Sequence, residues 1–347
     1  MAWSDLRRRF SMSARSVTIA PLVIALPLVR LIPWQIIWVV NAGSESDRRA
    51  YAVFARIGRI LHIDVGPIGL FRIAGIGWGL IVATPSTNDE LRSSEQRCRR
   101  LVADVRRFRG RRIALAGVIP SCLSRHQAWP EDDDRFVKGQ YATVHMIRRN
   151  VEDVHRRHKE LAKLPIAIVG VGATGRLVAN DLAFSGYPMV ALDVRPEAAA
   201  DLHEGVRFVG SDTDSLGDVG VVVLLSTGGD AGVSSIAHAL RPGTAVVSDT
   251  HPKVSRAAAR DLHARGVHVY ESALTRHGTR FVPKLPRWPA DTIPGCVAQA
   301  IIECHLDRTV IDQDAFTILG DRLFEPRLDR PGGIDHAERA VIDRVHD

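Results

Sequence analysis

The most regular pattern of hydrophobic and polar positions lies in the second half of the chain, where short apolar runs alternate with helix-like stretches. Ile166–Val169 is an apolar, mostly β-branched run of the length of a buried strand, and Arg176–Phe184 has the composition of a helix. Three more strand-like runs follow, at Val219–Leu225, Ala245–Ser248 and Val267–Glu271. Alternation of this kind predicts an α/β fold with a Rossmann-type, doubly wound parallel sheet.

The first half of the chain has a less regular pattern. It contains an apolar run at Ile76–Ala83, an arginine-rich helical stretch around Ser93–Phe108 and a strand-like run at Ile113–Val118. A long helix is predicted from Gln140 to Ala162, directly before the first Rossmann strand. We therefore predict three parts: a separate N-terminal α/β substrate and catalytic domain at 1–163, a dinucleotide-binding domain at 164–290, and C-terminal helices at 291–347 that pack back on the N-terminal domain.

The N-terminus combines a basic stretch at 1–15 with a strongly apolar stretch at 16–40. The pairing resembles a signal anchor, but Pro21, Pro27 and Pro33 interrupt the apolar run. Each proline would remove a backbone hydrogen bond that lipid cannot replace. We therefore expect a cytoplasmic protein in which this stretch is either buried or touches a membrane surface peripherally, and the sequence leaves both alternatives open.

Composition and charge narrow the class of protein to which the chain can belong. Hydrophobic content of 46% and charged content of 24% are typical of a globular protein, and the four cysteines lack the spacing of a zinc site or a disulfide framework. The net charge is +7, and nine arginines fall between Arg92 and Arg112. This basic stretch is either a solvated helix face or a docking surface for an acidic partner, and no nucleic-acid-binding motif accompanies it.

A glycine motif follows the first Rossmann strand directly. Gly170, Gly172 and Gly175 form a GxGxxG pattern, and Asp193 ends the next apolar run 18 residues after the last glycine. In a dinucleotide-binding fold these glycines permit a tight turn, a close approach of the pyrophosphate and helix packing, while the acid binds a ribose hydroxyl. The remaining predicted cofactor contacts are Ala173 and Thr174 at the helix start, Arg195, and Ser226 and Thr227 after a later strand.

A cysteine forms the second chemical feature. Cys296 follows Pro294-Gly295, residues that mark the start of a helix. Unpaired N–H groups and the helix dipole at that position would favour a thiolate nucleophile, but a small buried residue that packs the helix on a sheet would have the same pattern. The residues alone leave these two alternatives open.

Three blocks of sequence resemble the aldehyde-forming long-chain acyl-[acyl carrier protein] reductases. They are IALAGVIPS at 113–121, RFVKGQYATVHMIRRNVE at 135–152 and PGCVAQAII at 294–302, and Asp249-x-x-Pro252-Lys253 is similar to a strand end of that family. The glycine pattern and Asp193 depart from the family, so either NADH or NADPH is expected as the cofactor. In such enzymes the cysteine at the position of Cys296 forms a thioacyl-enzyme from an acyl thioester on an acidic carrier protein.

The resemblance implies that hydride reduction of this thioester releases an aldehyde. It also calls for proton donors near the carboxyl edge of the sheet, for which the candidates are Lys253, His251 and His277. The first alternative is a dehydrogenase similar to shikimate dehydrogenase, or an imine-type reductase, without a covalent step. The second alternative is a nucleotide-binding module without catalysis. Whether the chain forms homo-oligomers is left open.

Overall fold

The computed structural model describes residues 21, 25–42, 65–226, 228–283, 291–307 and 313–329. The chain divides into two compact units. The N-terminal unit comprises 1–139, 276–286 and 296–319, and the Rossmann unit comprises 140–275, 287–295 and 320–347.

The described residues form ten helices and fourteen strands, apart from short 3-10 turns. The strands are β1 (Trp34–Ala42), β2 (Gly66–Ile73), β3 (Gly77–Thr87), β4 (Gly110–Leu115), β5 (Phe136–Val137), β6 (Ile166–Val169), β7 (Met189–Leu192), β8 (Val206–Phe208), β9 (Val221–Leu224), β10 (Ala245–Ser248), β11 (His268–Thr275), β12 (Arg280–Val282), β13 (Thr292–Ile293) and β14 (Glu325–Asp329). The helices are α1 (Leu26–Leu31), α2 (Asn88–Ser93), α3 (Glu95–Arg106), α4 (Ile119–Arg125), α5 (Gln140–Arg157), α6 (Ala173–Phe184), α7 (Gly229–Ile236), α8 (Arg256–Ala264), α9 (Gly295–Leu306) and α10 (Gln313–Leu323).

The N-terminal unit is built on a mixed sheet with the order β12-β2-β3-β1-β4-β5. Strands β3, β1, β4 and β5 are parallel, and β2 and β12 are antiparallel to their neighbours. The central strand β1 comes from the apolar stretch 16–40, and Ile36, Ile37 and Val39 on it are fully buried. For residues 34–42 the structure therefore supports burial in a core, as one of the two sequence alternatives proposed.

The Rossmann unit confirms the predicted fold class. Its parallel strands have the order β8-β7-β6-β9-β10-β11, and β13 and β14 add to β11 in the antiparallel direction. The strand order reverses between β6 and β9, which pair in register from Ile166 with Val221 to Val169 with Leu224. Ligands of doubly wound sheets bind in the crevice beyond the carboxyl ends of the strands at such a reversal.

Helix α5 belongs to the Rossmann unit, so the unit boundary lies at Gly139/Gln140 and not at residue 163, where the sequence pattern had placed it. The physical reason is its buried face. Asn150 on α5 is fully buried and donates hydrogen bonds through Nδ2 to Ser272 Oγ and Ala273 O, both at 3.2 Å on β11. A helix with an apolar face must cover a neighbouring element, and for α5 that element is β11.

Within the described residues, no helix combines the length and the apolar composition needed to cross a membrane. The same part of the chain holds no group of three or more His, Cys, Asp or Glu side chains with the geometry of a metal site. All four cysteines are buried, and none of them is in a disulfide.

Candidate functional site

The glycine turn after β6 has the geometry that a dinucleotide-binding turn requires. Gly170 has φ +99°, and a Cβ there would lie 2.9 Å from the backbone nitrogen of Ser226. A Cβ on Gly175 would lie 2.0 Å from the carbonyl oxygen of Gly170, so only glycine lets α6 pack this close to the turn. A Cβ on Gly172, in contrast, would have no atom within 4 Å, which leaves the outer side of the turn open.

The start of α6 is open to an anion. Gly172 is the N-cap residue and supplies no side-chain cap, and both Gly172 and Ala173 are exposed. The first N–H groups of a helix have no partner within the helix, and together with the helix dipole they attract phosphate groups. Ala173 and the half-buried Thr174 are the first two residues of this helix, where a pyrophosphate would bind.

Asp193 lies directly after β7 and closes the back of the turn. Its Oδ2 accepts a hydrogen bond from the backbone N–H of Val171 at 2.8 Å, and both of its carboxylate oxygens accept from the Arg195 guanidinium. Burial alone would raise the pKa of Asp193, but the hydrogen bonds from Arg195 and Val171 outweigh it and hold the pKa below its ordinary value. The side chain is therefore an ionised acceptor beside the turn.

Ser226 begins the loop after β9 on the other side of the strand-order reversal. It is half-buried, and its Oγ has no hydrogen-bond partner among the described residues. A Cβ on Gly232 of α7 would lie 2.3 Å from this oxygen, so glycine at that position makes room for the serine. Thr227, the other predicted contact of this loop, lies outside the described residues.

A cluster of charged and polar side chains lies after β10, on the same sheet edge. Lys253 Nζ donates a hydrogen bond to Glu271 Oε2 on β11 at 2.7 Å, and β10 and β11 pair in register at Ser248 and Glu271. The backbone N–H of Asp249 donates to Leu224 O on β9 at 3.1 Å, which ties the start of this loop to the strand beside the glycine turn. Since neighbouring strands are spaced by about 5 Å, the cluster lies on the order of 10 Å from the glycine turn.

Burial shifts two further members of this cluster toward their neutral forms. Burial raises the pKa of the Asp249 carboxyl and lowers the pKa of the His251 imidazole, while the attraction between the two groups opposes both shifts. The sequence analysis named Lys253 and His251 but missed Glu271. An acid at the end of a predicted buried strand was the available signal, since a buried carboxylate needs a cationic partner.

Cys296 lies in the N-terminal unit, in the first turn of α9, where only 9% of its surface is exposed. The backbone of Gly139 packs directly against it, since a Cβ on Gly139 would lie 2.8 Å from Cys296 Cα. Gly139 has φ +72° and follows β5 by two residues, which places Cys296 at the carboxyl edge of that unit's parallel strands. The structure thus brings together two of the sequence blocks that the resemblance singled out.

The adjacent residue shows a similar close approach within the Rossmann unit. A Cβ on Gly295 would lie 2.6 Å from Thr143 Oγ1 and 3.0 Å from the Thr143 backbone nitrogen. The Pro294-Gly295-Cys296 sequence therefore needs its glycine for packing, whatever the role of the thiol.

His277 lies at the opposite edge of the N-terminal sheet from Cys296. It is exposed in the turn between β11 and β12, and a Cβ on the next residue, Gly278, would lie 2.9 Å from the Cβ of Ala74 in the turn before β3. This is the amino end of β3, whereas Cys296 lies at the carboxyl end of the sheet of the same unit.

The arginine-rich stretch forms α3 and its surroundings. Its apolar face, with Leu101 and Val105, is buried, and several of its arginines pair with acids. Arg97 lies 3.5 Å from Glu90, with further pairs between Arg99 and Glu95, Arg106 and Asp132, and Arg107 and Asp104. These pairs reduce the basic field of the helix below what the count of nine arginines implies.

No family model and no curated protein matches the chain. Similar solved structures include a 3-hydroxyisobutyrate dehydrogenase from Salmonella typhimurium, with 26% identity, TM-score 0.28 and coverage of 31% of this chain and 41% of that one. An imine reductase from Myxococcus stipitatus in complex with NAD+ has 20% identity, TM-score 0.26 and coverage of 31% and 40%. A D-isomer specific 2-hydroxyacid dehydrogenase family protein from Klebsiella pneumoniae has 13% identity, TM-score 0.33 and coverage of 67% and 77%.

The chain thus spans about two fifths of the length of the first two of these proteins. Because these TM-scores are low, the similarities carry no argument about the fold or the function of this chain. The assignment of the Rossmann fold rests on the strand order β8-β7-β6-β9-β10-β11 and on the glycine turn at its reversal.

Proposed function

We propose that the chain is an NAD(P)H-dependent oxidoreductase that reduces a carbonyl or imine carbon by direct hydride transfer. The observation that carries this proposal is one sheet edge of the Rossmann unit, which holds both the glycine turn at Gly170 and the Lys253–Glu271 ion pair. A dinucleotide site and a proton donor on neighbouring strand ends are the two parts that such a reduction needs.

The Rossmann unit has residues that fit each part of a dinucleotide. The open start of α6 would hold the pyrophosphate, and the Asp193 carboxylate would accept a hydrogen bond from a ribose hydroxyl. When bound, the dinucleotide supplies the hydride. Arg195 is 46% exposed beside Asp193 and would contact a 2′-phosphate, so the structure fits either form of the cofactor.

The proton is assigned to the cluster after β10. The Lys253 ammonium would donate it to the developing alkoxide or amine, and Glu271 keeps that ammonium in place. His251, whose pKa is lowered by burial, is a base that can pass a proton on to Lys253 from solvent.

A second candidate function is favoured by the close contact of Gly139 with Cys296. In this function Cys296 Sγ attacks the carbonyl carbon of an acyl thioester, a new C–S bond forms, and the carrier thiol leaves with the proton. N–H groups at the start of α9 would stabilise the oxyanion. Reduction of the enzyme thioester then releases an aldehyde, which is the reaction of the reductase family that the sequence resembles.

Two substitutions separate these functions. In direct hydride transfer, Lys253→Met lowers kcat by about 10²- to 10⁴-fold, the usual contribution of a general acid, and Cys296→Ala leaves most activity. In the thioester reaction, Cys296→Ala abolishes turnover, and mass spectrometry of the wild type finds an acyl adduct on Cys296.

The measurements are NADH and NADPH consumption over a panel of ketones, imines and acyl thioesters, together with equilibrium binding of both dinucleotides. Binding without turnover on the whole panel contradicts both functions and supports a nucleotide-binding module. Loss of dinucleotide binding in Gly175→Val, whose side chain would collide with the Gly170 carbonyl, shows that the bound nucleotide occupies the glycine turn.

A further inference from the structure

Helix α1 in the N-terminal unit is apolar on two faces. Leu26 and Val29 are 3% and 4% exposed and pack into the core, whereas Leu28 and Leu31 are 67% and 56% exposed. Ile32, directly after the helix, is 42% exposed and continues the outer face, because residues three and four apart lie on the same side of a helix. Arg30 in the last turn is half-buried, so the exposed part of α1 is formed by apolar side chains. An apolar helix face of this kind is normally covered by another surface.

An exposed tryptophan and two arginines form a row across neighbouring strands of the same unit. Trp78 on β3, 47% exposed, lies opposite Arg72 on β2, and Arg72 lies opposite Arg280 on β12. Side chains at directly opposed positions of antiparallel strands point to the same face of the sheet. Both arginines are exposed, and no ion pair is found for either among the described residues.

Two adjoining cavities lie beside α1, and one of them extends from Ile32 to Trp78 of this row. One has a volume of about 480 Å³, and the other has a volume of about 390 Å³. They share the wall Pro33-Trp34-Gln35; the first is completed by Ile32, Leu70, Gly77 and Trp78, and the second by Arg109, Gly110, Arg111 and Arg135. An apolar cavity thus adjoins a basic one at the amino ends of β1, β3 and β4, the edge opposite to Cys296.

The charge of this region is compensated only in part, since Arg135 of the basic cavity pairs with Asp133 at 2.7 Å. Arg109 is exposed, and its backbone N–H donates a 3.0 Å hydrogen bond to Arg30 O at the end of α1. The described residues include no acid within ion-pair distance of Arg109, while Arg111 pairs with Asp307 at 2.6 Å. We call the exposed side chains of Leu28, Leu31, Trp78, Arg72, Arg280 and Arg109 the amphipathic patch.

We propose that the amphipathic patch docks the protein on the surface of an anionic lipid bilayer. The leucines of α1 enter the boundary between headgroups and acyl chains, and the Trp78 indole lies at headgroup depth, where tryptophan is enriched in membrane proteins. The arginines bind lipid phosphates and add attraction to a negatively charged surface. Docking through the amino edge leaves the carboxyl edge of this sheet, with Cys296, facing away from the lipid.

A second copy of the chain is a poorer occupant. In a twofold-symmetric contact the same patch meets itself, so that the unpaired arginines of one copy would face those of the other. Repulsion of like charges opposes such a contact, whereas a layer of lipid phosphates compensates every arginine at once.

The test is cosedimentation of the full chain with sucrose-loaded vesicles, either of phosphatidylcholine alone or with added phosphatidylglycerol. We expect binding to the anionic vesicles and weaker binding as salt is raised, because salt screens exposed charges. Leu28→Ser combined with Leu31→Ser should lower the partition coefficient at least tenfold. Arg72→Gln and Arg280→Gln should each lower it about fivefold on anionic vesicles only.

Matched controls are available in the Rossmann unit. Phe184 and Val194 are 76% and 83% exposed, so Phe184→Ser and Val194→Ser remove similar apolar surface elsewhere. Arg260→Gln and Arg265→Gln each remove one exposed positive charge from the Rossmann unit and are the controls for the arginine variants. Since all substituted side chains are exposed, circular dichroism should show the same fold for every variant.

Three results would overturn the proposal. The first is absence of wild-type binding to anionic vesicles, and the second is equal loss in the control variants. The third is binding of the Leu28→Ser/Leu31→Ser variant to anionic vesicles as strongly as the wild type. The membrane contact would then lie in another part of the chain. Sedimentation velocity without lipid adds a fourth check, since a dimer lost in the same variant would assign the patch to a second copy.

Discussion

Arg195 donates three hydrogen bonds to Asp193, one from its backbone N–H at 3.0 Å and two from its guanidinium at 2.9 and 3.1 Å. These hydrogen bonds hold the two side chains together. The two residues would favour different forms of the cofactor's ribose. A carboxylate favours a ribose hydroxyl and repels a 2′-phosphate, while a guanidinium binds the phosphate. We therefore expect the balance between NADH and NADPH to be set within this ion pair.

Substitutions in the pair should shift that balance in opposite directions. Asp193→Ser removes the carboxylate and releases the guanidinium, so we expect the ratio of NADPH to NADH affinity to rise by about tenfold. Arg195→Gln should lower the same ratio. Fluorescence titration with both dinucleotides measures the effect. Glu197→Gln on the following 3-10 turn is a control, and equal shifts in all three variants would contradict the role of the pair.

Glu271 is predicted to position Lys253. Glu271→Gln keeps the size of this buried side chain but removes the charge that holds the ammonium 2.7 Å away. We expect kcat to fall by about tenfold with little change in KM, because the proton donor is no longer held in place. Glu160→Gln, at an acid that is 71% exposed, should leave kcat unchanged. A loss of activity that follows a loss of folded protein, measured by circular dichroism, would indicate a purely structural role.

Gly139→Ala should disturb the position of Cys296. The substitution forces a residue with a side chain to φ +72° and brings its Cβ within 2.9 Å of Cys296 Cβ. Gly186→Ala is the matched control, because Gly186 has φ +84° but open space around its Cβ position. We expect each to cost about 1 kcal/mol of unfolding free energy for the backbone conformation, and Gly139→Ala to cost roughly 1–3 kcal/mol more for overpacking.

Chemical denaturation measures both free energies, and the rate of alkylation of Cys296 reports the local change. Equal costs for the two variants would mean that the backbone at 139 moves away from Cys296 without strain.

His145 makes the stability of the Rossmann unit depend on pH. The side chain is 1% exposed on α5, and burial lowers its pKa to about 4, although Asp321 at 3.7 Å favours the protonated form. An unfolded histidine titrates near 6.5, so the unfolded chain binds the proton first as the pH falls. Stability is therefore full above that value and is lost as the pH drops from about 6.5 toward 4.

The loss attributable to His145 is about 3 kcal/mol at most, from a shift of about two and a half pKa units. His145→Gln should remove this component, which urea unfolding at about pH 7 and about pH 4.5 would show. His263→Gln, at an exposed position on α8, should retain the full wild-type pH dependence. An unchanged pH dependence in His145→Gln would contradict the assignment.

The sequence predicted the Rossmann unit well because its pattern is local. Strands β6 and β10 begin and end where the apolar runs do, and the glycine turn follows β6 as expected. Part of the fingerprint can be recognised locally, because the positive φ of Gly170 and the packing of Gly175 are constraints within the turn itself. The close approach of Gly175 to the Gly170 carbonyl is one such constraint.

Relations between distant segments were harder to predict. The pairing of Lys253 with Glu271 depends on the register of β10 with β11, which no local pattern encodes. For the apolar stretch 16–40 the sequence left burial and membrane contact open, since both select the same apolar residues. That residues 34–42 form a central strand was not predicted. The sequence placed the unit boundary at residue 163, whereas the structure places it after Gly139. The sequence pattern of α5 is compatible with either unit, so it could not decide between these positions.

The two units are interleaved along the chain. It passes from one to the other at 139/140, 275/276, 286/287, 295/296 and 319/320. A single cut after residue 139 would strip the N-terminal unit of β12 and of nearly all of α9, and a gene fragment starting at residue 164 would leave β11 without α5. Neither unit is therefore encoded by one continuous stretch of the chain, and a fragment cut at any one of these crossings would lack strands or helices of one unit.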